Sequence, residues 1–197
     1  MHAHHTLIVR AAGSKAVKKA VNDALEPFGD GDVWDWFEIG GRWKGVVIDK
    51  DADLPVQVAH ELMGEGQVLP DIISWEKYPK TCRWMCQQAM ESQQASVEYE
   101  KQGLKDWLEK AGYQNVYDVP APGQRKPKSK EEERQGFGGD MVGHCMHKLG
   151  QLLAGYYSFN SHLYDAVNRT PVVLEEAMDE FDKSPEDIWV VSADLHN

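Results

Sequence analysis

Two short stretches carry the residues best suited to chemistry: Asp35-Trp36-Phe37-Glu38-Ile39-Gly40-Gly41-Arg42-Trp43 and Asp194-Leu195-His196. In the first, Gly40 and Gly41 admit positive φ and close backbone approach, while Arg42 offers a planar donor fork that suits a carboxylate or phosphate. Trp36 and Trp43 can stack on a flat ligand or on a guanidinium. A hairpin turn explains the same residues structurally, with Trp34, Trp36 and Trp43 in the core and Arg42 paired with Asp35 or Glu38. The stretch has neither G-x-G-x-x-G nor the lysine of a phosphate-binding loop.

Asp194 and His196 are two apart on a strand-like segment, so both point to one face and can form an acid/base pair or share a metal. If the first and last strands pair, His4 or His5 approaches the same edge. A frayed terminus, where polarity costs nothing, is the structural alternative. His144 and His147 stand i, i+3 on a helical stretch. They lack the glutamate of H-E-x-x-H, so polar helix surface is the preferred reading over metal binding. A metal site, if present, would draw on His144, His147, Asp194 and His196. Cys82 and Cys86, four apart, fit small core residues. Asp49, Asp51 and Asp53 resemble the start of a calcium loop, but Leu54 and His60 occupy the positions that need glycine and glutamate.

The elements that position these residues follow from periodicity. Residues 5–10 read as an inner strand, and Ser14 as the cap of a helix through about 28, with Val17, Val21 and Leu25 at helical spacing. Residues 34–48 read as strand, glycine interruption, strand; 54–63 as a short helix; 71–75 as a strand. From 81 to 111 the composition is helical, and an 81–117 insertion is expected. Residues 118–138, rich in proline, glycine and charge, read as a mobile loop. A helix then runs from 140 to about 154, extended by 156–165 or followed there by an aromatic connector. Residues 171–181 read as a helix and 188–196 as the last strand. The plan predicts one α+β domain over 1–197: a ferredoxin-like antiparallel sheet, helices on one face, a long helical insertion, and first and last strands side by side.

Composition bounds the function. In 197 residues, 42% are apolar and 27% charged, as in an ordinary globular domain. Apolar runs are only a few residues long, against the roughly 20 needed to span a membrane. The first residues lack a signal-peptide pattern, and three cysteines make no disulfide framework, so a cytoplasmic location is expected. With 32 acidic against 21 basic residues the net charge is −11. That opposes generic attraction to nucleic-acid backbone and suits solubility or a basic protein partner.

The stretch 35–43, taken with Val190-Val191-Ser192-Ala193-Asp194-Leu195-His196-Asn197, resembles a group of uncharacterised bacteriophage and prophage proteins. Members share a D-W-aromatic-x-I-G-G-R-W segment, a downstream strand ending in tryptophan and a C-terminal D-x-H. The resemblance covers the two ends and 69–75; 81–155 has no counterpart, and Ser192 and Ala193 depart from the pattern. It implies a phage origin and ends that meet in space. The expected function is that of a phage-type cytoplasmic accessory protein. It would bind a host protein, a defence-system component for example, or an anionic ligand such as a nucleotide, through Gly40, Gly41, Arg42, Trp43, Trp36, Asp194 and His196. A metal-dependent or His/Asp acid-base hydrolase and a virion or assembly component are the alternatives. Cofactor and oligomeric state are not fixed by the sequence.

Overall fold

The fold is that of a computed structural model, which describes residues 2–29, 34–41, 71–119, 129–153, 163–171, 173 and 175–196. Arg42, Trp43, the calcium-like run and the short helix expected at 54–63 lie outside these residues. The chain divides into two compact units, Met1–Gln93 with Tyr157–Asn197, and Gln94–Tyr156.

Among the described residues the first unit is built on a five-stranded sheet. β1 (His2–Arg10) and β5 (Ile188–His196) pair antiparallel over their full length, His2 opposite His196 and Arg10 opposite Ile188. β2 (Trp36–Ile39) lies along the other side of β5, and β3 (Ile72–Ser74) continues along that side. β4 (Leu163–Asp165) pairs parallel with β1, giving the order β2-β5-β1-β4 with β3 also on β5. The first and last strands are thus neighbours, and β5, flanked on both sides, is no frayed terminus.

The α+β class with a long helix holds, and two details differ from the expected arrangement. The β1–β4 pair makes the sheet mixed, and helices cover both faces. Leu7 and Val9 pack with Val17, Val21 and Leu25 of α1 (Ser14–Leu25). Ile8 points the other way, to Cys82, Met85, Cys86 and Ala89 of α2 (Pro79–Ala111). A strand apolar on consecutive residues is buried on both sides, and so needs cover on both. Ser14 is the first helical residue, preceded by a Gly13 cap that makes no side-chain hydrogen bond.

The terminal helix, α4 (Glu175–Lys183), starts later than the sequence suggests. Arg83 of α2 fixes it, donating to Glu175 at 2.7 Å, Asp179 at 2.6 Å and Asp182 at 2.8 Å. Asp182 also accepts the Trp75 indole N–H at 2.6 Å. Burial alone would raise the Asp182 pKa, but the hydrogen bonds from Trp75 and Arg83 hold it below the usual carboxylate range.

The second unit is a helical hairpin of the end of α2 and α3 (Lys130–Leu153). Glu100 meets Lys148 at 3.4 Å, Gly103 lies against Cys145, Trp107 stacks edge-on to Phe137 and Ala111 touches Gly138, so the helices run antiparallel. α3 begins inside the segment expected to be a mobile loop over 118–138. Its charged start, Lys130-Glu131-Glu132-Glu133-Arg134, consists of good helix formers, and charge does not break a helix. Gly138 and Gly139, read as loop residues, are buried where a Cβ would press on Ala111 and Val119.

Candidate functional site

Strand alternation divides one sheet face into an apolar and a polar half. On β5, Ile188 and Val190 belong to the core under α2 and α4, and two residues further the same face carries Ser192, then Asp194 and His196. On β1 the corresponding step runs from Ile8 to Thr6 and His4, which lie opposite Ser192 and Asp194. On β2, Trp36 and Glu38 lie opposite His196 and Asp194. Sheet pairing therefore gathers side chains from both motifs onto one surface.

The double glycine governs how the chain leaves that surface. Gly40 and Gly41 adopt φ of 75° and 52°. The Gly40 N–H donates to the Ser192 carbonyl at 2.8 Å, and the Ser192 N–H donates to the Asp71 carbonyl at 2.8 Å. Ser192 is thus where β5 passes from β2 to β3. A Cβ on Gly40 would collide with the Asp71 carboxylate and one on Gly41 with Asp194. Both glycines are needed for this approach as much as for their φ.

Trp36, 42% exposed, stacks on the His196 ring with centroids 5.2 Å apart and planes 13° apart. His196 Nδ1 is hydrogen-bonded to the exposed Asp35 carboxylate at 2.8 Å, and the Asp35 N–H donates to the His196 carbonyl at 2.9 Å. The bond to His196 holds the Asp35 carboxyl below its usual range. Deeper in the face, His4 Nε2 lies 2.9 Å from Ser192 Oγ. Thr6, Ser192 and Asp194 are buried, and Glu38 is exposed.

Of the residues expected at the site, the structure brings together Gly40, Gly41, Trp36, Asp194 and His196. Arg42 and Trp43 follow Gly41 outside the described residues. His4 joins the polar face, whereas His5 falls on the opposite one. His144 and His147 are exposed on α3 in the second unit. Among the described residues no three His, Cys, Asp or Glu side chains are placed to hold a metal ion. Cys82, Cys86 and Cys145 are buried and form no disulfide, and burial pushes the Cys86 and Cys145 thiols up.

Asp35, Ser192, Glu38 and Asp71 escaped the sequence reading as site members. The period of two that links Asp194 to His196 would have found Ser192. The position of Asp35, next to the residue facing His196, needed the register of β2 on β5. A separate cleft of about 630 Å³ is lined in part by Arg10, Asp165, Asn168, Thr170, Glu180 and Ser184. There Arg10 is paired with Asp187, and Asp165 accepts from Val167 N, Asn168 N and Asn168 Nδ2, holding its own turn.

In comparisons with known proteins, the chain matches no family model, no curated sequence and no solved structure. Its class is that of an α+β protein with a polar sheet face fed by both ends of the sequence. No helix among the described residues is long and apolar enough to cross a membrane.

Proposed function

We propose that this chain is a phage-type accessory protein acting by binding, its face around Trp36, His196 and Asp35 receiving a basic segment of a host protein, a defence-system component being the specific target. The observation that carries this is the exposed Trp36 ring, held parallel to a histidine that is itself tied to a carboxylate. Such a ring is pre-organised for a flat or cationic group. Asp35 and Glu38 are exposed beside it in sequence, Asp71 and Asp194 line the glycine turn, and the chain carries a net charge of −11. That charge favours arginine or lysine over a nucleotide, for which Arg42 is the nearest cation in sequence. The phage assignment is supported by the resemblance in 35–43 and 190–197, of which Trp36–Ile39 and Ala193–His196 pair through β2 and β5.

Magnitudes limit what this anchor does alone. A cation over an exposed ring contributes about 0.5–1 kcal/mol, and each exposed ion pair about 0.2–1 kcal/mol. A single partner side chain would bind only weakly, so the partner must extend along the sheet face.

Immobilised full-length protein incubated with host lysate tests the reading. Wild-type protein is expected to retain a basic protein that added salt releases and that Trp36→Ala retains at least several-fold less. Equal retention by Trp36→Ala, or retention insensitive to salt, contradicts it. A thermal shift with nucleotides would instead support the anionic ligand.

A further inference from the structure

Deeper in the same face, His4 and Ser192 come from adjacent antiparallel strands and are hydrogen-bonded, Nε2 to Oγ, at 2.9 Å. Asp194 lies directly opposite His4 in the ladder, where facing Cβ atoms are roughly 4.5–5.5 Å apart. Ser192 is 4% and Asp194 1% exposed, while His4 is half-buried. Sinking a hydroxyl and a carboxylate into a sheet face is unfavourable compared with apolar residues, and two residues earlier the strand places Val190 there instead. A hydroxyl bonded to an imidazole, with a carboxylate on the imidazole's strand partner, lets histidine take the hydroxyl proton as the oxygen attacks.

We propose that Ser192 is a nucleophile activated by His4 and positioned through Asp194, taking the acyl group of a small activated ester. In the first step Ser192 Oγ bonds to the acyl carbon as its proton passes to His4 Nε2. Collapse of the tetrahedral adduct breaks the bond to the leaving alkoxide, which departs with the proton from His4. Water then attacks the acyl-serine, His4 takes its proton, and the departing Ser192 oxygen recovers that proton as the carboxylic acid leaves. The Gly40 and Ser192 N–H groups are already committed to backbone carbonyls. Lack of one oxyanion donor slows acylation and deacylation alike, about 100- to 1000-fold; only the first step is helped by an activated leaving group, so the expected behaviour is one round of acylation followed by slow release.

The test treats full-length protein with p-nitrophenyl acetate, and separately with a small fluorophosphonate, and maps the adduct by peptide mass. One equivalent on Ser192 is expected, absent in Ser192→Ala and formed at least about 100-fold more slowly in His4→Ala. Asp194→Asn is expected to shift the pH midpoint of labelling downward, because the carboxylate favours the imidazolium. In a Ser192→Cys variant the new thiol is expected to alkylate with iodoacetamide faster than buried Cys82, Cys86 and Cys145. A folded protein whose Ser192 stays unmodified overturns the proposal. So does a Ser192→Cys thiol whose alkylation rate is unchanged by His4→Ala. Labelling of Ser192 and retention of a host protein are read separately on the wild-type protein, so failure of the binding reading leaves the labelling result, and this proposal, standing.

Discussion

Gly40 and Gly41 sit against the Asp71 carboxylate and Asp194 with φ in the left-handed region. An alanine at Gly41 must accept both the strained backbone and the overlap with Asp194, and Gly41→Ala is expected to cost about 1–3 kcal/mol in urea unfolding. Gly143 gives the contrast: it lies inside α3 with nothing within 4 Å of an added Cβ, so Gly143→Ala is expected to stabilise by about 0.5–1 kcal/mol. The sequence made the double glycine and Asp194-Leu195-His196 legible because residue type and spacing alone single them out. It did not reveal that Asp35 holds His196, or that Ser192 bonds His4. Those pairs are 161 and 188 positions apart and exist only once the β2–β5 and β1–β5 registers are set.

At the scale of elements, Arg83 joins α2 to α4 through three carboxylates on one face of the shorter helix. Because the guanidinium is only partly exposed, Arg83→Met is expected to destabilise the protein by about 1–2 kcal/mol, the exposure of its partners keeping the figure modest. The sign of the acid response follows from Asp182. Its lowered pKa contributes stability above the ordinary carboxylate value near 4 that is lost as pH falls through the depressed value. Removing Arg83 moves Asp182 back toward that ordinary value, so the variant is expected to lose less stability than wild type between about pH 4 and 2. Denaturant midpoints across this range check it. The long elements were readable from period: α1, α2 and the 188–196 strand fall close to where their apolar residues recur. β4 was not, since three residues carry no usable period, and the start of α3 was masked by charge and glycine that suggest loop until Ala111 and Val119 are seen beside Gly138 and Gly139.

For the molecule as a whole, helices on both faces of the first unit's sheet leave one face divided, apolar under α2 and α4 and polar where the two ends of the sequence meet. The apolar half stabilises the fold; the polar half, with Trp36 exposed at its margin and carboxylates around it, is where a cationic partner would gain most. The measurement closest to this claim is nuclear magnetic resonance of the full-length protein, following the Trp36 indole N–H and His196 ring signals during titration with an arginine-rich peptide and, separately, with ATP. Progressive shifts of both signals with the peptide, weakening as salt is added, and none with ATP are the expected result. Shifts with ATP alone, or signals that respond to neither, would contradict it.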